Sequence, residues 1–138
     1  MAGAAVATLA FSAIPLHALA LSYDGEDPYS SGCANSQTTV TGPMNVDYGT
    51  IREQYSTSCQ TAWTLFLCQQ QDDCTNYVIW IHRIQDGLSE NYYQTSPTYT
   101  PSGYTKVSPM VWDGAGYQAD ACFQRYFGNP VECNPYVW

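Results

Sequence analysis

The sequence has little positive charge. Four Lys and Arg residues stand against twelve Asp and Glu, giving a formal net charge of −8 at pH 7. Binding to a phosphate backbone or an anionic lipid surface needs clustered Lys and Arg, so nucleic-acid and lipid-surface partners are excluded as expectations. Histidine is scarce too, with His17 and His82 the only two. A catalytic zinc site or a Ser-His-Asp triad therefore has almost nothing to draw on. No Cys-x-x-Cys, His-Glu-x-x-His, Gly-x-Ser-x-Gly or phosphate-loop motif occurs. Heptads, internal repeats and long amphipathic helical patterns are also missing, which removes coiled-coil, solenoid and helical-bundle architectures.

The first charged residue is Asp24. Residues 1–20 form an apolar run that ends in Ala18-Leu19-Ala20, a small-x-small pattern suited to signal peptidase, although the usual positive n-region is absent. The reading is a signal peptide over 1–20 and a single secreted β domain over 21–138. An uncleaved membrane anchor is the alternative. After cleavage no membrane attachment is expected. All six cysteines follow the apolar run, and an even count in a small secreted domain reads as a disulfide framework. Six cysteines admit many connectivities. Spacing favours Cys68–Cys74 around the loop QQQDD and Cys122–Cys133 around Gly-Asn-Pro, which leaves Cys33 with Cys59. In the chain-entropy description these closures contribute about 2.4, 2.8 and 3.5 kcal/mol respectively.

Short β-rich segments separated by turn residues define the rest. Residues 37–41 read as a strand. Around 46–55 the apolar parity shifts from Val46 and Tyr48 to Ile51 and Tyr55, which predicts a β-bulge at Gly49-Thr50. Residues 61–68 (TAWTLFLC) and 75–84 (TNYVIWIHRI) are rich in aromatic and β-branched residues. They predict a central antiparallel hairpin with Leu65 opposite Tyr77 and Trp63 opposite Ile79. Residues 91–94 suggest a further short strand. Pro109 demotes 106–112 to an edge or bulged strand. The alternation over 117–124 predicts a strand, with a short helix as the alternative. The fold class is all-β: a small, disulfide-stapled antiparallel β-sandwich or partly open β-barrel.

Candidate functional residues are few. Tyr92, Tyr93, Tyr99 and Tyr104 lie in or beside a long loop rich in Ser, Thr, Pro and Gly. Tyrosines there provide amphipathic contact area for an extracellular protein or glycan. Ordinary surface placement is the competing explanation. Asp24, Glu26 and Asp27 offer oxygens to calcium, or form an acidic turn whose carboxylates accept backbone N–H groups. The second reading is preferred, because the alternating pattern and closing Glu of an EF-hand loop are missing. His82 falls mid-strand, where a packed or surface role outweighs catalysis. No catalytic residue, metal or cofactor is expected. The composite expectation is a non-catalytic extracellular binding or accessory module. One alternative is an inhibitor or toxin-like effector acting through the loop between Cys68 and Cys74. A carboxylate-based hydrolase ranks third, since no spacing singles out a pair of acids. Oligomeric state is not set by the sequence.

Several pieces together resemble a family of small secreted bacterial proteins, common in actinobacteria, known as domain of unknown function 2690. They are Asp24-Gly25, Asp27-Pro28-Tyr29, Gly32-Cys33, Gly49-Thr50-Ile51, Tyr55-Ser56 with Cys59, and Ala62-Trp63, with Pro109-Met110-Val111 as a less specific piece. Gln54 stands where the family usually has Arg. Cys68, Cys74 and the tail around Cys133 look like additions. The resemblance implies secretion and a Cys33–Cys59 link. It implies no activity and no functional residues.

Overall fold

The computed structural model describes residues 21–70, 74–95, 103–126 and 128–135. Two antiparallel sheets face each other as a sandwich, and among the described residues no closed barrel forms. The strands are β1 (Gln37–Thr39), β2 (Met44–Val46), β3 (Gly49–Ser56), β4 (Thr61–Cys68), β5 (Tyr77–Arg83), β6 (Ser89–Gln94), β7 (Thr105–Val107), β8 (Val111–Trp112), β9 (Ala119–Arg125) and β10 (Glu132–Asn134). One sheet has β3 and β4 at its centre. β1 and β2 pair with the free side of β3, and β7 and β8 with that of β4. The other runs β10-β9-β5-β6. Pro109 separates β7 from β8, and both still pair with β4, as an interrupted edge strand requires.

The expected hairpin of 61–68 with 75–84 does not form. β4 pairs along its whole length with β3, from Gly49 opposite Cys68 to Ser56 opposite Thr61. β5 pairs instead with β6 and β9. Both apolar runs are central strands of different layers, so they meet face to face and not edge to edge. Thr64 marks the crossing by donating its hydroxyl to the Trp80 carbonyl at 2.6 Å. The Cys68–Cys74 disulfide closes the passage between layers. A short covalent loop suits such a passage as well as a hairpin turn, which is why spacing could not separate them. The expected bulge is also absent. β3 matches β4 residue for residue through Gly49 and Thr50. The change of parity comes from the turn at Asp47-Tyr48, where Tyr48 adopts a φ of 74°.

The other two disulfides are Cys33–Cys59 and Cys122–Cys133. Three apolar clusters fill the molecule. The first, between the sheets, stacks Phe66, Tyr77 and Phe123 with ring centroids 4.8–5.8 Å apart, beside Ile51 and Ile79. The second, also between the sheets, joins Ala62, Ile81, Val111 and Ala119. A third lies on the outer face of β4, where Trp63 packs against Cys33, Ala34 and Met110. The N-terminal segment thus caps an apolar face that would otherwise meet water. Its Gly25 N–H donates to the Met110 carbonyl and its Glu26 carbonyl accepts from the Met110 N–H, each at 2.9 Å.

Gly49 sits where the chain enters the β3–β4 ladder. A Cβ there would lie 1.9 Å from the Leu67 carbonyl oxygen. Gly49→Ala is therefore expected to cost about 1–3 kcal/mol through backbone displacement. Gly42→Ala, with nothing within 4 Å, should stay within about 0.5 kcal/mol of the parent. Urea denaturation with intact disulfides checks both. Equal midpoints for the two variants would contradict the account.

Candidate functional site

The inward face of β3 carries Ile51, Glu53 and Tyr55, at the parity set by the strand period of two. Ile51 belongs to the first cluster and Tyr55 packs on the second. Glu53 lies between them, with 0% of its surface exposed. Its backbone is satisfied: the N–H donates to Thr41 Oγ1 at 3.1 Å, and the carbonyl accepts from the Val40 N–H at 3.1 Å. Its carboxyl is not, since neither oxygen has a hydrogen-bond partner among the described residues. Burial, then the charges of Asp113 and Asp120, push this carboxyl up to about 9.

Asp113 follows β8 on the loop 113–118. The loop is held at several points. The Asp113 N–H donates to the Gln60 carbonyl at 2.8 Å, and the Gln118 N–H to Gln85 Oε1 at 2.9 Å. Gly114 is wedged against Trp112 and Gln60 with no room for a Cβ. The Tyr117 ring lies 4.9 Å from that of Trp112 and 5.3 Å from the Arg83 guanidinium. Arg83 is the anchor for all of this. Its buried guanidinium contacts Asp24 at 3.1 Å and Asp86 at 2.6 Å, and it donates to the Trp112 carbonyl at 3.1 Å. The hydrogen bond from Arg83 is the main reason that Asp86 is held down at about 2. Asp113 keeps a buried Oδ1 with no hydrogen-bond partner among the described residues. Burial pushes its carboxyl up to about 7, against the pull of Arg83.

These segments enclose a cleft of about 700 Å³. Its walls include Thr38 and Thr39 of β1, Tyr55 and Thr57, and Asp113 and Tyr117. Burial and the Asp113 charge both raise the Tyr55 hydroxyl. The cleft thus combines hydroxyls, aromatic surface and one carboxyl, with a second carboxyl enclosed beside it on the same strand face as Tyr55.

The described residues among those singled out from the sequence lie elsewhere and do not form one surface. Tyr92 and Tyr104 pack against the first cluster on either side of Lys106, whose Nζ lies 5.5 and 5.7 Å from their rings. The Tyr104 hydroxyl pairs with that of Tyr77. Tyr93 points to the other face of β6, is 53% exposed, and lines an apolar depression of about 100 Å³ with Val78 and Tyr126. Tyr99 lies outside the described residues, as do residues 71–73 of the loop between Cys68 and Cys74. Asp24 and Asp27 make contacts within the fold. Asp24 binds Arg83 and accepts the Trp112 N–H at 2.6 Å. Asp27 accepts the N–H groups of Tyr29 and Ser30 at 2.9 and 2.8 Å. Glu26 contributes its backbone carbonyl to the Met110 contact. Among the described residues no group of His, Cys, Asp and Glu is arranged to hold a metal ion. His82 is half-buried, with Nδ1 2.9 Å from the Ser89 hydroxyl.

Sequence reasoning missed Glu53, Asp113 and Tyr117. For Glu53 the signal was present: it falls at the inward parity of Ile51 and Tyr55, where a charged residue has no ordinary place. Asp113 sits in Asp-Gly-Ala-Gly, which reads only as a turn.

Residues 21–122 match the family described as "Protein of unknown function (DUF2690)". No curated protein and no solved structure matches the chain.

Both Glu53 and Asp113 hold their protons more tightly folded than unfolded. The folded state binds extra protons between about pH 4 and 9, so this contribution is complete below the unfolded values and is lost as pH rises through the folded ones. Glu53→Gln removes a stability slope of at most about 1.4 kcal/mol per pH unit. Urea unfolding at several pH values should show a shallower decline for the variant between about pH 5 and 9. Identical slopes would show that Glu53 titrates normally.

Proposed function

The chain belongs to the DUF2690 family, whose description assigns no activity, and we propose a role from its own geometry: a secreted, non-catalytic extracellular binding module whose binding face is the cleft beside Tyr55, Asp113 and Tyr117. One observation carries the reading. A cleft of about 700 Å³ is lined by Asp113, whose buried Oδ1 no described residue satisfies. Buried polar atoms are almost always paired, and an orphan on a residue that lines an open cleft points to a ligand that supplies the donor once the side chain turns toward it. Three disulfides support an oxidising, extracellular setting. No described helix is long and apolar enough to cross a membrane.

The raised carboxyls also favour a second reading, a hydrolase in which Asp113 and Glu53 exchange a proton with substrate. It ranks lower because Glu53 is fully enclosed and does not line the cleft. A general acid or base must come within hydrogen-bond reach of the reacting atom.

Thr38 is exposed, lies opposite Tyr55 in the β1–β3 pairing and lines the cleft. A Trp there fills the opening without touching the core. The immobilised protein, challenged with medium conditioned by its native host, is expected to retain a partner that Thr38→Trp loses and Tyr93→Ala keeps. Loss with Tyr93→Ala and retention with Thr38→Trp would move the binding face to the tyrosines of β6.

A further inference from the structure

We propose that the cleft receives a basic side chain, a Lys ammonium or an Arg guanidinium, from a segment of an extracellular protein, with Asp113 as its counter-ion. The inference rests on the binding reading and names the chemistry of the partner.

Three observations converge on a cation. The first is charge complementarity. The molecule carries a formal −8 and only four Lys or Arg residues, and none of the four lines the cleft. Arg83 is engaged by Asp24 and Asp86. Arg125 lies over the rings of Tyr48 and Tyr126, and Lys106 beside those of Tyr92 and Tyr104. The second is Asp113 in the cleft wall, whose buried Oδ1 has no hydrogen-bond partner among the described residues. Its own backbone N–H is already used by Gln60. The third is Glu53, fully buried, with both carboxyl oxygens unpartnered, on the same face of β3 as the cleft-lining Tyr55. Its carboxyl stays protonated near neutrality, so it places no positive charge beside the cleft to oppose a cation. An ammonium or a guanidinium is a donor-only group, suited to acceptors that lack donors. The Tyr55 ring offers an aromatic surface to its methylene stem or to the charge itself. A neutral glycan supplies donors but no charge, and so leaves an ionised Asp113 uncompensated in a partly buried position.

The charged and titratable groups facing Asp113 are Glu53 and Tyr55 on β3, Arg83 on β5 and Tyr117 on its own loop, while Asp120 on β9 acts on Glu53. Arg83 is committed to its carboxylates, so the charge state of Asp113 is what changes near neutrality. Cation binding therefore strengthens as pH rises through about 7.

The probe is the capped peptide acetyl-Gly-Lys-Gly-amide, with its N-ε-acetyl-lysine counterpart and neutral chitotetraose as separate arms. Binding is followed by amide chemical-shift changes at residues 113–118 of the full chain. The lysyl peptide is expected to shift these amides, with affinity falling about tenfold per pH unit below 7. Its affinity should also drop at least about tenfold in Asp113→Asn. The acetylated peptide should leave them unmoved. Asp113→Asn must retain the urea midpoint of the parent. Asp113→Ser serves if the Asn variant does not.

Equal binding of the two peptides would overturn the proposal, as would affinity unchanged in Asp113→Asn or no shift with any probe. Chitotetraose shifting the same amides, blocked by Thr38→Trp, would also overturn it while leaving the binding cleft standing. If the native partner is retained equally by the parent and by Thr38→Trp, the cleft itself is not the binding face and both readings fall.

Discussion

Arg83 brings its guanidinium into an almost solvent-free position where three separate parts of the chain meet. Asp24 comes from the N-terminal turn, Asp86 from the turn after β5, and the Trp112 carbonyl from β8. A buried cation without partners would be severely destabilising, so these groups must arrive together. Their arrival fixes much else. Asp24 also receives the Trp112 N–H, and Gly25 and Glu26 bond Met110 on both sides. The N-terminal segment is thereby laid across β4, where it covers Trp63 and where Cys33 reaches Cys59. The segments that carry the resemblance at its two ends, Asp24-Gly25 and Pro109-Met110-Val111, meet at this junction. They lie far apart in sequence and in direct contact in space.

The same junction creates the electrostatic imbalance beside it. Arg83 is saturated by Asp24 and Asp86, so little of its charge serves Asp113. Glu53, one β3 residue pair inward from Tyr55, has no cation at all. A core rarely keeps such a group without a reason, because an unpaired polar side chain costs stability and Glu53 could have been an apolar residue of similar length. Protonation relieves the cost, which is why both carboxyls sit well above the ordinary range. The proposed binding role would account for the remaining cost, since a partner's donor would relieve it at the cleft.

The two-layered β architecture was legible because alternation, turn residues and cysteine spacing point the same way. Gln37–Thr39, Ser89–Gln94 and Ala119–Arg125 formed strands where short periodic runs suggested them. The three cysteine pairs read from spacing are those the structure contains. Strand partnership was not legible. Two runs apolar on both faces pair well with each other on paper, yet each is better buried as the centre of its own sheet. Composition alone does not distinguish edge pairing from stacking. The tyrosines drew attention as a group because of their closeness in sequence. The strand period splits them, since Tyr92 and Tyr93 face opposite ways. The cleft stayed hidden because it joins residues from three distant segments. Only Glu53, a charge at an inward position, carried a local signal, and it was passed over.

The uncompensated acid pair is the centre of this account, and carboxyl carbon NMR reads it without any ligand. In the oxidised parent protein, the side-chain carboxyl resonances of Glu53 and Asp113 are followed across pH. The account gives midpoints of about 9 for Glu53 and about 7 for Asp113. Midpoints near 4 for both, the ordinary range for exposed carboxylates, would mean that neither group is held uncompensated and would remove the physical basis of the cleft as a binding site.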